Sequence, residues 1–430
     1  MSQLIVRPGR PLCGSIRVPG DKSISHRALL LGALADGTSR VAGFLPCGDC
    51  LATLSCLRAL GVEIESRDAT RLEIRGRGLH GLQPPTGPLD CVRSGTTMRL
   101  LAGLLAGQPF TSTLIGDEQL LRRPMRRVAD PLSRMGAEIE TNNGCGPLII
   151  RGGALRGHSH VLPIASAQVK SALLLAGLYA IEPTTIQQPG PARDHTERML
   201  YAMGSTIEIA DLSVTLSPGS LLHPLQIEVP GDFSAAAFPL VAATLVPGSA
   251  VTIEGVGVNR TRIGLLEVLR EMGTDITLAN ERSQGNEPVA DITVKASSLQ
   301  GVEIGGEKVV RMIDEFPVLA VAASQARGIT RVHDAGELRV KETDRIDAIV
   351  TELGALGANV IALPDGFVVE GPVSLRGGVV DSRNDHRLAL ALAVAGQVAE
   401  EEVTIRNSEC MSDSFPAFVE LMRGLGADYD

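Results

Sequence analysis

The sequence predicts an α/β protein of two domains, each made of three repeated units of strand, helix, strand, helix and strands around buried helices. Three observations carry this. An apolar residue, a Gly, a small residue and then a strand recur in that order six times, and a polar cluster opening an almost wholly apolar helix recurs with nearly the same period. The third is size: 430 residues with 44% hydrophobic content suffice for more than one large core.

The glycines of the first pattern are Gly61, Gly136, Gly204, Gly273, Gly357 and Gly426, spaced 75, 68, 69, 84 and 69 residues apart. Each follows an amphipathic stretch and precedes an alternating one, so each is expected to end a helix as a left-handed C-cap and to lead into a strand. The polar clusters are Lys22-Ser23, Ser94-Gly95-Thr96, Ser166-Ala167-Gln168, Asp232-Phe233-Ser234, Asp314-Glu315 and Asn384-Asp385-His386-Arg387. The helices they open are apolar all round and must be buried. Helix starts carry unpaired N–H groups and the positive end of the macrodipole, which makes them anion sites. Ser, Thr, Asp and Asn there also serve as plain N-caps. Lys22, Arg27, Arg99 and Arg387 sharpen the choice, because a cation in or just after the first turn is disfavoured unless an anion accompanies it.

Composition excludes several classes. There is no Trp and there are three Tyr, so base-stacking platforms for single-stranded nucleic acid are not expected, and a net charge of -9 argues against nucleic acid and anionic membranes as partners. The first twenty residues lack a signal-peptide core, and Leu100 to Leu105 and Leu388 to Ala395 are too short to span a membrane, so a cytoplasmic protein is expected. Seven cysteines without framework spacing read as free thiols, and the single Cys47-Gly48-Asp49-Cys50 pair reads as packing rather than redox or zinc chemistry. Only five of 40 basic residues are Lys, namely Lys22, Lys170, Lys295, Lys308 and Lys341, which draws attention to where an ammonium is retained.

Several clusters carry candidate chemistry. In Lys22-Ser23-Ile24-Ser25-His26-Arg27, Ser23 and Arg27 share a helical face that suits a phosphate. Gly95 offers backbone approach ahead of Arg99, and Arg122-Arg123-Pro124-Met125-Arg126-Arg127 holds four Arg, of which Arg126 and Arg127 read as a solvated face. Further on come Arg193-Asp194-His195-Thr196-Glu197, Asp314-Glu315-Phe316-Pro317 and Arg339-Val340-Lys341-Glu342-Thr343-Asp344-Arg345. The last also fits ion pairing along an exposed helix.

KSISHR, SGTTMR, RRPM, SAQVKSA, RDHTE, IDEFP, RVKETDR, NDHR and SFPAF occur in the order and spacing of enolpyruvylshikimate phosphate synthases, so residues 5 to 428 resemble that enolpyruvyl transferase family. The resemblance implies an inside-out α/β barrel in each domain, with residues 21–233 forming one domain and residues 1–20 plus 234–430 the other. It implies transfer of the enolpyruvyl group of phosphoenolpyruvate to the 5-hydroxyl of shikimate 3-phosphate, with phosphate released through a tetrahedral intermediate, on the route to chorismate. No metal or cofactor is implied. Small-molecule substrates, a monomer and inhibition by glyphosate are. By residue, the resemblance implies Lys22, Ser23, Arg27, Ser166, Gln168, Arg193, Asp314 and Lys341 for shikimate 3-phosphate. Phosphoenolpyruvate would take Lys22, Gly95, Arg123, Gln168, Arg345 and Arg387, while Asp314, Glu342 and Lys22 are the catalytic set.

The chain departs from the family at Val92-Arg93, where Gly-Asn is common, at Asp413, where many members have Lys, and at Ala167 and Glu337. Two alternatives stand beside this reading. A UDP-N-acetylglucosamine enolpyruvyl transferase would commonly carry a reactive Cys between Leu114 and Leu121, where none lies. A non-catalytic anion binder would gain nothing from the carboxylates Asp314 and Glu342.

Overall fold

The computed structural model describes residues 2–430 as two compact units. The amino-terminal unit comprises Gly20–Val229 together with Ser283–Glu287; the carboxy-terminal unit comprises the segment through Pro19, Pro230–Arg282 and Pro288–Asp430. The inclusion of Ser283–Glu287 in the first unit has no counterpart in the sequence reading.

Each unit is built on three inner helices. These are Lys22–Leu34, Gly95–Ala106 and Ala167–Gly177 in the amino-terminal unit, and Phe233–Leu245, Phe316–Gln325 and His386–Gln397 in the carboxy-terminal one. Ala and Leu dominate them, which favours helix, and their apolar circumference leaves no face for solvent. Five of the six are closed at the start by a side chain: Asp21, Ser94, Ser166, Asp232 and Asp385 each accept from a backbone N–H of the first turn. The inner helices pack very closely where small residues meet. A Cβ on Gly103 would lie 2.1 Å from the Ala172 carbonyl oxygen, so any larger residue there would separate the Gly95–Ala106 and Ala167–Gly177 helices.

Six outer helices, among them Gly48–Ala59, Arg126–Arg134, His195–Ala202 and Arg345–Ala355, end at the six expected glycines. All six glycines have φ between +83° and +114°, which L side chains avoid. The sheets repeat one order. In the second unit of the repeat, Leu89–Asp90 runs parallel to Thr111–Ile115, which pairs antiparallel with Cys145–Arg151, which pairs antiparallel with Glu138–Asn142. Strands alternate buried and exposed residues, so one face covers the inner helices and the other meets solvent. The sheets remain six separate open layers, and none closes on itself among the described residues.

Where the chain passes from one unit to the other, the repeat is completed by a strand from elsewhere. Cys13–Ile16 pairs parallel with Ala250–Gly257, and Gln226–Glu228 pairs parallel with Thr38–Ala42. In the sixth copy the strand expected after Gly426 shrinks to one bridge from Tyr429 to Val6, and Gln3–Val6 takes an edge of the sheet. Each unit has its own apolar core, and every fully buried Leu in it contributes roughly 1.5–3 kcal/mol.

Candidate active site

In the amino-terminal unit, charged and hydroxyl side chains gather at the first turns of the three inner helices. Lys22 donates from Nζ to Asp49 Oδ2 at 3.0 Å, and Asp49 stands in the first turn of Gly48–Ala59. Ser23 Oγ accepts from Arg193 Nη1 at 3.4 Å. Arg27 is buried and already engaged: it donates from Nε to Thr196 Oγ1 (2.7 Å), from Nη1 to the Ser23 carbonyl (2.9 Å) and from Nη2 to Ser171 Oγ (2.6 Å). Burial pushes its guanidinium down to about 10, against the pull of Glu197 and Asp21. Beneath Lys22, His26 Nδ1 lies 2.7 Å from Thr53 Oγ1, which lies 2.7 Å from Thr97 Oγ1, which donates to Ser94 Oγ at 2.7 Å. This buried chain ties two helix starts together, and desolvation holds His26 down to about 3, so its ring is neutral.

The Gly95 and Ala167 helix starts are bound in the same way. Arg99 donates from Nη1 to Gln168 Oε1 at 2.6 Å, and Gln168 donates from Nε2 to Thr96 Oγ1 at 3.0 Å. A Cβ on Gly95 would stand 2.9 Å from Arg123 Nη1 and 3.0 Å from Arg99 Nη1, so the bare backbone of Gly95 faces two guanidinium groups. Ser166 is the N-cap of its helix. Lys170, two residues beyond Gln168, is fully buried against Glu197 at 2.5 Å and reads as a packing element. The departures from the family are accommodated locally. Arg93 donates to Asp117 Oδ2 at 3.1 Å, and Val92 takes φ of +52°, a strained conformation for a β-branched residue.

In the carboxy-terminal unit, carboxylates outnumber hydroxyls. Arg345, 1% exposed, donates from Nε and Nη2 to Asp385 (2.8 and 3.2 Å), from Nη2 to Glu342 Oε2 (2.7 Å) and from Nη1 to Asp314 Oδ1 (3.4 Å). Burial alone would lower its pKa, but Asp385 and Glu342 outweigh that and hold it above the ordinary arginine value. Lys341 Nζ lies 3.6 Å from Asp314 Oδ1. The RVKETDR motif is therefore not one exposed helix. Arg339 pairs with Asp344 at 2.8 Å and Asp344 caps Arg345–Ala355, whereas Lys341, Glu342 and Arg345 converge with Asp314.

Arg387 behaves differently from Arg345. It follows the N-cap Asp385, is 4% exposed, and its guanidinium forms no hydrogen bond or ion pair among the described residues. A second buried network surrounds the Phe233–Leu245 start, where Arg262 donates to Asp232 Oδ1 at 2.7 Å and to Ser234 Oγ at 3.0 Å, and Ser234 donates to Glu315. Asp413 ends a short 3-10 helix, Ser408–Asp413.

The structure thus gathers Lys22, Ser23, Arg27, Gly95, Arg123, Ser166, Gln168 and Arg193 in one unit, and Asp314, Lys341, Glu342, Arg345 and Arg387 in the other. Sequence reasoning left out Asp49, Thr196 and Ser171, and it gave Asp385 no role; these hold Lys22, Arg27 and Arg345. The available signal for Asp385 was an N-cap carboxylate two residues ahead of Arg387, although the arginine it holds is the remote Arg345. Among the described residues no group of three or more His, Cys, Asp or Glu could hold a metal ion, and no helix is long and apolar enough to cross a membrane.

Inner helices sheathed by six small sheets, with ionic groups at the helix starts, define an enolpyruvyl transferase fold. Its likeness to the enolpyruvyl transferase NikO from Streptomyces tendae has a TM-score of 0.82 at 20% identity, over 100% of this chain and 98% of that one. The EPSP synthase from Acinetobacter baumannii is nearer, with a TM-score of 0.89 and 43% identity over 100% and 99% of the two chains. The family model for EPSP synthase (3-phosphoshikimate 1-carboxyvinyltransferase) matches residues 6–422, and this chain belongs to that family. Proteins named 3-phosphoshikimate 1-carboxyvinyltransferase from Syntrophotalea carbinolica and Citrifermentans bemidjiense are 52% and 51% identical to it. The first covers 98% of both chains and the second 99% of both.

Proposed function

We propose that the protein transfers the enolpyruvyl group of phosphoenolpyruvate to the 5-hydroxyl of shikimate 3-phosphate and releases phosphate, acting as a cytoplasmic monomer. The observation that carries the reading is Arg387: a desolvated cation in the first turn of a helix, without a partner, is destabilised unless an anion arrives. The two substrates bring two phosphates and two carboxylates, which need cations aimed at fixed oxygens.

Lys22, Gly95, Arg123, Gln168, Arg345 and Arg387 take phosphoenolpyruvate in this reading. Ser23, Arg27, Ser166, Gln168, Arg193 and Lys341 take shikimate 3-phosphate, and Asp314 meets its ring hydroxyls. Asp314 accepts the proton of the attacking hydroxyl as its oxygen bonds to C2. The methylene C3 is protonated in the same stage, giving the tetrahedral intermediate. C3 then returns a proton as the C2–O bond to phosphate breaks, with Glu342 and Lys22 as the groups that move protons and ease departure. Asp314 and Glu342 would be out of place in a site built only to hold anions.

The test incubates the protein with both substrates and follows inorganic phosphate and the enolpyruvyl ether by phosphorus NMR. UDP-N-acetylglucosamine in place of shikimate 3-phosphate serves as the control. Phosphate release with the sugar nucleotide alone, or none with shikimate 3-phosphate, overturns the reading.

A further inference from the structure

The long hairpin of Asp275–Gln284 and Glu287–Lys295 turns through Gly285 and Asn286, whose φ values of +58° and +64° fit a two-residue type I′ turn. Its strands up to Arg282 and from Pro288 belong to the carboxy-terminal unit, but Ser283–Glu287 belongs to the amino-terminal one. There the turn grips the His195–Ala202 helix at two points. Glu287 Oε1 lies 2.7 Å from His195 Nδ1, with both side chains 2% exposed. Arg198 donates from Nη1 to the Asn286 carbonyl at 2.9 Å and from Nε to Asp194 Oδ2 at 2.8 Å. His195 Nε2 is buried without a partner among the described residues, so the ring is oriented through its Nδ1 contact with Glu287. The carboxyl group offers Nδ1 an acceptor oxygen.

We propose that Glu287 is a positioning residue for shikimate 3-phosphate, acting through His195 to fix the Arg193–Thr196 segment; this rests on the function proposed above. The segment is connected to that substrate's residues. Arg193 donates to Ser23, and Thr196 accepts from Arg27 while lying 2.7 Å from Ser171 Oγ. A shift of the helix start therefore moves Arg193 and loosens Arg27 together. Gly95 and Gln168 stand instead at the starts of the Gly95 and Ala167 helices, so phosphoenolpyruvate binding is expected to feel the turn less.

The test is steady-state kinetics with each substrate varied, on the wild type, Glu287→Ala and Glu287→Gln. Loss of the contact in Glu287→Ala should raise KM for shikimate 3-phosphate by roughly 10–100-fold, the upper end being the effect of a ~1 Å misplacement, while kcat and KM for phosphoenolpyruvate stay within about threefold. Glu287→Gln keeps an acceptor oxygen for Nδ1 and should stay within about threefold of wild type in all three constants. If Glu287→Ala does not fold, His195→Asn, too short to reach the carboxylate, must give the same one-sided change. Equal rises in both KM values, a loss confined to kcat, or a Glu287→Ala enzyme with wild-type constants overturns the proposal. A wild type that does not turn over would sink the functional reading instead. Calorimetric titration of shikimate 3-phosphate into the same proteins then decides the role of Glu287, weaker binding by Glu287→Ala supporting it and equal or no binding overturning it.

Discussion

A methyl group added at Gly95 would stand 2.9 Å from Arg123 Nη1, 3.2 Å from Arg123 Cζ and 3.0 Å from Arg99 Nη1. Ordinary contact lies near ~3.5 Å, so a guanidinium must retreat by roughly half an ångström. Arg99 is pinned by Gln168 at 2.6 Å, which leaves Arg123 to move. Because the obstacle is the far end of a flexible side chain, Gly95→Ala should fold normally, and alanine in place of glycine even favours the helix by up to about 1 kcal/mol. Function should suffer instead. Losing part of a charge-assisted hydrogen bond from Arg123 corresponds to about 1–2 kcal/mol, or roughly 5–30-fold in KM for phosphoenolpyruvate. Glyphosate, which the resemblance implies at the same site and which is longer, should be crowded by about 1–3 kcal/mol more, so the wild type should be sensitive and the variant resistant. Inhibition kinetics with phosphoenolpyruvate varied, together with a melting curve, check this. Equal inhibition constants for wild type and variant, or a melting temperature lowered by several degrees, would refute the reasoning.

Asp314→Asn retains hydrogen bonding but cannot accept a proton, so kcat should fall about 10²–10⁴-fold with KM changed much less; phosphate release at wild-type rate removes Asp314 from the mechanism. Arg345→Met takes a shared cation from Asp385, Glu342 and Asp314 and should destabilise the free protein by about 3–5 kcal/mol, whereas Arg387→Met removes a buried cation without a partner and should leave urea stability equal or higher while abolishing saturation by phosphoenolpyruvate. Equal loss of stability in the two variants would contradict the contrast. His26, held down to about 3 by burial from an ordinary 6.5, stays neutral while the unfolded chain takes up a proton, so its contribution is full above about pH 6.5 and lost as pH falls toward 3. Urea stability against pH should be flatter in His26→Gln, by up to ~1.4 kcal/mol per pH unit between pH 6 and 4; parallel curves would rule this out.

The repeat was legible because its signals are local. A glycine that must take positive φ, followed by an alternating strand, announces itself within five residues, and an apolar helix with a polar first turn does so within a dozen. The engagement of the arginines was not legible, since their partners are remote. Arg27 meets Ser171 and Thr196, 144 and 169 residues away, and Arg345 meets Asp385 across 40. Which first turns face one another depends on the rotation of packed helices, and that is fixed by close approaches such as Gly103 on Ala172. The turn at Gly285-Asn286 was hidden for a related reason: its glycine and asparagine mark a hairpin, but nothing local says which unit the tip joins.

The caps explain why the two units can do different work with one architecture. In the amino-terminal unit two of three inner helices are capped by hydroxyls, Ser94 and Ser166, which satisfy an N–H without cancelling the positive end of the macrodipole. Those helix starts keep their attraction for anions, and Arg99 and Gln168 are fastened beside them. In the carboxy-terminal unit Asp232, Glu315 and Asp385 occupy the corresponding places, and their charge both neutralises the dipole and anchors Arg262 and Arg345. With the dipole and Arg345 answered by those buried acids, Asp314 and Glu342 remain partly exposed, whereas Asp385 is fully buried. A partly exposed carboxylate can exchange its proton with a substrate without dismantling the fold around it, and a fully buried one cannot. That difference separates Asp314 and Glu342 from Asp385, although all three contact the same guanidinium.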